Sequence, residues 1–302
     1  MDKYMVKPGE LVSTRSTALP APARHEDRHI VDQLIAERGE TLAASWVWPI
    51  VKPLLYRILH YHDAVRMADE IASLSGLEAM AYVSDLLRLD LEVTGAERIP
   101  PTGAFILAAN HPTGIADGVA VYDALKGTRG DISIFTNRDA QRLNPRFNDI
   151  LIPVEWRDEF RNHAKAKETL RLSSKAFGEK RAVVIFPSGR IAYWQDGGLN
   201  ERPWQASFLT LARKHGVPIL PVHVRSRNSG LFYWFANWNT ELRDMTVFHE
   251  LLNKKGKTLQ IHFGPLIDND LLAGDVTSLT EQLQHHCVHV LSEDPDTAFE
   301  PR

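Results

Sequence analysis

Apolar and polar positions follow two different periods along this chain, and the change of period divides it. Ile30, Val31, Leu34 and Ile35 recur at helical spacing and stop near Gly39. Val47, Ile50, Val51, Leu54, Leu55, Ile58 and Leu59 then form one stripe at three- and four-residue steps. This stripe predicts an amphipathic helix despite Pro49 and Pro53, because a helix starting near Pro49 has no first-turn amide partners to lose. Ala64 to Arg88 predicts one or two further helices broken near Gly76, with Met67, Ala68, Ile71 and Leu74 on one face and Met80, Val83 and Leu86 on another. Beyond about residue 88 short apolar runs take over. Leu89–Val93 alternates with period two, and Ala104–Ala109, Ile132–Phe135, Ala182–Phe186, Val217–Val224 and Thr258–Phe263 read as strands. Helical patterns at Asp117–Lys126, Glu159–Phe177, Pro203–His215 and Leu279–Leu291 fall between them.

Strands alternating with helices predict an α/β fold: a central mostly parallel or mixed sheet flanked by helices. The division near residue 88 gives a segment of arm and amphipathic helices (1–88) and an α/β domain (89–302). Residues 1 to about 28 carry Pro8, Gly9, Pro20 and Pro22 without periodicity and read as a flexible or loosely docked arm. The prolines of Val217–Val222 suggest a core strand at a sheet edge.

The stripe at Val47–Leu59 has two readings. A core helix is the ordinary one. An interfacial helix is the other, with Trp46, Trp48 and Tyr56 at headgroup depth and Lys52 and Arg57 snorkelling. Leu231–Trp238 is dense in aromatics and poses the same choice between core and a membrane-facing or acyl-chain-lining segment. Composition narrows the setting. A formal net charge of −3 carries no signature of a nucleic-acid binder. The single Cys287 excludes an internal disulfide and fits a reducing compartment. Met1 to Asp32 lacks the apolar segment of a secretory signal, and no run of about eighteen apolar residues predicts a spanning helix. The expectation is a cytoplasmic protein, peripheral on the cytoplasmic face of the inner membrane if the interfacial reading holds.

Candidate chemistry gathers at strand ends. The run Ala104–Ala109 leads into Asn110-His111-Pro112-Thr113-Gly114-Ile115-Ala116-Asp117, where Pro112 and Gly114 stop regular structure. A His and an Asp therefore sit on a turn at the end of a buried strand, where open α/β sheets bind ligands. Imidazole beside carboxylate is a general-base pair for activating hydroxyls. A structural role is the competing account, in which His111 packs in a turn and Asp117 caps the next helix. Phe186-Pro187-Ser188-Gly189-Arg190 also follows a buried strand. Gly189 admits close backbone approach, and Arg190 offers a planar fork for phosphate or carboxylate. Ser188 is no hydrolase nucleophile, since the Gly-x-Ser-x-Gly elbow is absent. His285, His286 and His289 near Cys287 raise a metal site. The apolar face of Leu279, Leu283, Cys287, Val290 and Leu291 instead leaves those histidines to solvent, and no metal is expected. Arg161, Lys165, Lys167, Arg171 and Lys175 make one helix basic. This is either a solvated face or a receiver for acyl carrier protein or coenzyme A phosphates.

In order, a strand ending in Asn-His-Pro, a strand ending in Phe-Pro-x-Gly-Arg and a Val-Pro-Ile-x-Pro-Val strand resemble the glycerolipid acyltransferase family, whose type member acylates lysophosphatidic acid. The resemblance runs from about Leu91 to Gly264 and includes the lead-in Val93–Pro100. The chain looks like a divergent member. The family's first motif sets four residues between His and Asp, and here five separate His111 from Asp117, with Gly114 placed to absorb the extra one as a bulge. The acceptor-phosphate Arg of the second motif matches Arg157, with Arg161 the other candidate. The third motif reads Phe-Pro-Glu-Gly-Thr-Arg in the family; here Ser188 replaces the Glu and the Thr is missing.

The resemblance implies an O-acyltransferase with His111 as base and Asp117 as its partner, although Asp123 is a second possible partner. Asn110, Gly114, Arg157, Ser188, Gly189 and Arg190 would bind substrate. Backbone amides near Gly114 or Gly189 would serve as oxyanion donors. It implies no cofactor, acyl carrier protein or coenzyme A thioester as co-substrate, a membrane surface as partner, and a 1-acylglycerol-3-phosphate-like lysophospholipid as acceptor. Loss of the family Glu leaves room for a phosphate-free lyso-aminolipid acceptor. A non-catalytic lipid-binding protein of the same fold is the alternative of a different class.

Overall fold

The structure is a computed structural model that describes residues 28–155 and 162–302. The arm expected over residues 1 to about 28, both Arg157 and Arg161, and the expected helix start at Glu159 lie outside the described residues, apart from Arg28 itself.

Five helices come first: α1 (Ile30–Arg38), α2 (Glu40–Ala43), α3 (Trp48–Ile58), α4 (Tyr61–Ile71) and α5 (Gly76–Leu87). The break near Gly76 has a local cause. Ser75 accepts the Glu78 N–H while the Glu78 carboxylate accepts the Ser75 N–H, a reciprocal cap that starts α5 there. Strands and helices then alternate: β1 (Asp90–Thr94), β2 (Phe105–Ala109), α6 (Ile115–Leu125), β3 (Ile132–Asn137), α7 (Asp139–Leu143), β4 (Leu151–Val154), α8 (His163–Gly178) and β5 (Ala182–Ile185). There follow β6 (Tyr193–Gln195), β7 (Gly198–Asn200), α9 (Ser207–His215), β8 (Ile219–Arg225), α10 (Gly230–Trp238), α11 (Thr240–Met245), α12 (Val247–Leu252), β9 (Thr258–Phe263), α13 (Val276–His285) and α14 (Leu291–Glu293).

The seven-stranded sheet has the order β1-β9-β8-β2-β5-β3-β4. Every neighbouring pair is parallel except β8 with β9, so the sheet is mixed and mostly parallel. Successive residues of β2 feed opposite faces. Phe105, Leu107 and Ala109 join a core with α1, α3, α4, α5, α6 and α12, while Ile106 and Ala108 join one with α8, α9 and α13. The parallel strands β8, β2 and β5 are central; β2 and β5 end together and β8 runs on past Val222, the partner of Ala109, to Arg225, so the turns after Ala109 and Ile185 share one edge beside the end of β8.

Three expectations need correction. The strand with Pro218 and Pro221 lies inside the sheet, between β9 and β2, and not at its edge. Pro218 precedes the strand and contributes its carbonyl to Ile106 N–H at 3.0 Å. The Pro221 carbonyl takes the Gly264 N–H at 2.9 Å, so the donor that Pro221 lacks falls where β9 has already ended at Phe263. Pro53 lies inside α3 rather than in its first turn, so that helix gives up one internal bond. The stripe on α3 is also divided. Leu55, Leu59, Trp48 and Tyr56 are buried, whereas Trp46, Ile50 and Leu54 are 84%, 71% and 63% exposed. Trp48 and Tyr56 are thus core residues, the latter donating its hydroxyl to Asp32, which Lys52 also reaches at 3.0 Å. No helix among the described residues is long and apolar enough to cross a membrane.

Candidate active site

The turn after β2 closes around one carboxylate. Asp117 is the third residue of α6, from which position its side chain reaches back over the helix start. Its Oδ2 accepts the N–H groups of Thr113 and Gly114 at 2.8 and 2.9 Å, and its Oδ1 accepts the Thr113 hydroxyl. His111 Nδ1 lies 3.0 Å from the same Oδ2. The approach is oblique to the ring N–H direction, so it is an ion-pair distance without a linear hydrogen bond. Such bonds often tighten only when substrate binds. Asp117 therefore caps the helix and faces the imidazole at once, and the two accounts of this residue are not exclusive.

Gly114 bends the turn with a φ of 88° and a ψ of −127° that are closed to L side chains. A Cβ there would also stand 2.7 Å from Ile191 Cδ1. Asp123 does not take part; its carboxylate bonds Ser84 and Lys126. The His111 ring stacks on Phe186 with centroids 4.4 Å apart. With Nδ1 buried against Asp117, Nε2 is the nitrogen left to take a proton, and 18% of the side chain stays exposed to let a substrate in.

Asn110 faces the sheet. Its amide donates to the Val224 carbonyl at 2.9 Å and accepts the Val224 N–H at 2.7 Å, which locks the β2 end to β8. The Phe186 stack brings the second turn beside the first. Ser188 is buried there, and Gly189, at φ 61°, and Arg190 are exposed. The N–H groups of Gly114 and Gly189 are both engaged, the first by Asp117 and the second by the Phe186 carbonyl at 2.9 Å. The first-turn amides of α6, at Ile115 and Ala116, stand at the same turn.

One participant escaped the sequence reading. Glu201 follows β7 and accepts the His111 backbone N–H at 3.2 and 3.3 Å through its two oxygens. Burial raises its carboxyl above the usual range; the Ser188 hydroxyl and His111 draw it back, and Asp117 pushes it up. The hairpin that delivers it had a sequence signal. Asp196-Gly197, both at positive φ, form a two-residue turn between strands too short to show a period.

Elsewhere, no group of three or more His, Cys, Asp or Glu among the described residues could hold a metal ion. His285 and His289 are exposed with rings 5.2 Å apart, but His286 is buried, against expectation. His286 stands three residues after Leu283 and seven after Leu279, on the same buried face, and the π-turn over His286–Val290 begins there. Burial pushes the Cys287 thiol up to about 12, which removes it as a nucleophile.

A family model described as "Acyltransferase" matches residues 34–290. The chain is 23% identical over 227 residues to a lyso-glycine lipid O-acyltransferase of Bacteroides thetaiotaomicron, covering 73% of this chain and 81% of that protein. It is 23% identical over 184 residues to a lyso-glycine lipid O-acyltransferase of Phocaeicola vulgatus, covering 61% and 64%. Among solved structures, the 1-acyl-sn-glycerophosphate acyltransferase PlsC of Thermotoga maritima aligns over 87% of this chain and 96% of its own, with a TM-score of 0.46 and 16% identity.

Proposed function

The chain belongs to the acyltransferase family, and on that premise we propose that it moves a fatty acyl group from a thioester donor to a hydroxyl of a lysolipid. The observation that carries this reading is the His111 ring, 3.0 Å from a fully buried Asp117 and still open to solvent at a strand end. His111 Nε2 takes the acceptor hydroxyl proton as the oxygen attacks the thioester carbonyl. Asp117 holds the Nδ1–H tautomer and stabilises the imidazolium. The carbonyl oxygen gains negative charge, for which the N-terminal amides of α6 are the donors at hand. Collapse of the tetrahedral adduct breaks the C–S bond, and the thiolate leaves with the proton from His111. No covalent enzyme intermediate is needed, because a thiolate departs readily.

Arg190 is the group for an anionic part of the acceptor, since its fork suits phosphate and carboxylate alike. The resemblance points to a 1-acylglycerol-3-phosphate-like lysophospholipid, and the named relatives point to a lyso-aminolipid. The donor is an acyl carrier protein or coenzyme A thioester, with the exposed cations Lys167 and Arg171 of α8 suited to its phosphate. The test is a screen of both lysolipid classes with both thioesters, read by mass spectrometry of the products. A new O-acyl lysolipid product supports the reading. Thioester left unconsumed with every acceptor would point to lipid binding without catalysis, and free fatty acid alone would point to hydrolysis.

The bilayer is the proposed partner of one surface. Trp46, Ile50, Leu54 and Ile58 are exposed beside α2, whose Thr41 and Leu42 amides are capped by Glu241 of α11. The preceding α10 buries Phe232 and Phe235 and exposes Trp234 and Trp238. Tyr233 of α10 in turn touches Trp194 of the β6–β7 hairpin, with ring centroids 5.7 Å apart. These contacts link α2, which precedes α3 in the chain, and α10 to the hairpin that holds His111. Ile50→Glu with Leu54→Glu should abolish co-flotation with anionic vesicles at unchanged thermal stability. Undiminished co-flotation would remove α3 from the membrane surface. Deleting residues 1–62 is the poorer test, because it strips Leu34, Leu55 and Leu59 from the core.

A further inference from the structure

The peptide of His111 is gripped from both sides by one short segment. Its N–H donates to the Glu201 carboxylate at 3.2 and 3.3 Å, and its carbonyl accepts the Ala192 N–H at 2.9 Å. Ala192 and Glu201 flank the β6–β7 hairpin, so this segment closes on the residue that the proposed reaction depends on. The Ser188 hydroxyl donates to the Arg190 carbonyl at 3.0 Å and lies close enough to Glu201 to favour its carboxylate. One carboxylate thus ties the hairpin to the His111 turn and stands beside the Ser188 turn.

The charges facing it decide what it does beyond bracing. From the β2–α6 turn come His111 and Asp117, and from the C-terminal helix the neutral thiol of Cys287. Burial and Asp117 both disfavour a second negative charge here, while the Ser188 hydroxyl and the His111 N–H support it. The one positive charge that can arise among these groups is the imidazolium of His111. It arises only when that ring takes a proton.

We propose that Glu201 is a positioning residue with an electrostatic part: it fixes the His111 backbone and, together with Asp117, stabilises the imidazolium formed as His111 accepts the acceptor's proton. The inference rests on His111 acting as general base. Ser188 stands where the resembling motif carries a carboxylate, and Glu201 brings one to the same turn from another segment.

A purely structural Glu201 makes a different prediction, which the full-length protein can test. Glu201→Gln keeps the volume and an acceptor oxygen for the His111 N–H but removes the charge. The His111 ring, assigned by its loss in His111→Ala, is titrated by NMR in each variant. Its pKa should fall by about 0.5–1 unit in Glu201→Gln and return toward wild type in Glu201→Asp. The turnover number should fall about 10-fold in Glu201→Gln, with the acceptor KM within about twofold and the acid limb of the rate profile moved to lower pH. An unmoved His111 titration and an unmoved acid limb in folded Glu201→Gln would overturn the proposal. If Glu201→Gln does not fold, Glu201→Asp carries the test: it must keep the wild-type titration within about 0.3 unit, and a drop as large as a full loss of charge overturns the proposal. The titration does not need the reaction. A shifted ring in a protein that acylates no lysolipid would uphold the coupling and reject the acyl-transfer reading.

Discussion

The two turns that meet at the edge of the sheet differ in their charged residue: one buries an aspartate and the other leaves an arginine exposed. The turn after β2 closes on its aspartate, since Thr113, Gly114 and His111 all address Asp117, while the His111 peptide is held from outside by Ala192 and Glu201. The turn after β5 stacks Phe186 on His111 and closes on itself through the Ser188 hydroxyl and the Arg190 carbonyl, with Gly189 and Arg190 exposed. A proton-transfer group must be held to within a few tenths of an ångström, which an over-determined local turn achieves. A group that meets a mobile lipid headgroup gains from reach and from water around it. On the proposed reaction, the first turn serves the chemistry and the second the recognition of the acceptor.

The largest effect that sharpens this contrast is at Asp117. Asp117→Asn should lower turnover by about 10²–10⁴-fold, because it favours the wrong imidazole tautomer. It should also destabilise the fold by about 1–3 kcal/mol, since one amide oxygen must replace a carboxylate that serves several donors. Turnover and thermal unfolding on the same preparation check both. Loss of activity with no loss of stability would show that the cap is dispensable.

Arg190→Ala should act on recognition. The acceptor KM should rise by about 10–150-fold, corresponding to about 1.5–3 kcal/mol for a lost charge-assisted contact. Lys should rescue only in part, because a point charge lacks the planar fork. Acceptor kinetics that ignore Arg190→Ala would remove the residue from the site and leave the second turn without its function.

The two glycines test the turns through stability alone, and Gly189→Ala is the smallest effect expected. Gly114→Ala meets Ile191 and a backbone conformation reserved for glycine, and should cost about 2–3 kcal/mol. Gly189 is left-handed but has no atom within 4 Å of a built Cβ, so Gly189→Ala should cost about 1 kcal/mol. Chemical denaturation of both variants gives the ratio. Equal costs would break the distinction between a tight turn and an open one.

What was legible in the sequence depended on how local each constraint is. Strand runs such as Ala104–Ala109 and the Asn110–Asp117 turn declare themselves because their constraints are local: buried period, Pro112, Gly114, and an acid at the third helix position. The division of the α3 stripe was not legible, because only tertiary packing decides that Leu55 meets the core while Ile50 does not. The place of β8 inside the sheet was misread from its prolines. What tolerates Pro221 is the end of a strand that lies far along the chain. Glu201 was invisible for the same reason. Nothing around it marks a site until the Asp196-Gly197 hairpin folds it back onto His111. The burial of His286, by contrast, was legible in the helical period, since it lies three residues after Leu283 and seven after Leu279.

The central claim is that His111 is the base of an acyl transfer. The most direct measurement is product formation from an acyl thioester and a lysolipid by wild-type protein and by His111→Ala, quantified by mass spectrometry, with folding of the variant confirmed by its thermal transition. The account predicts an O-acyl product from wild type and about 10²–10⁴-fold less from a variant of near wild-type stability. A folded His111→Ala that acylates the lysolipid at the wild-type rate would contradict it.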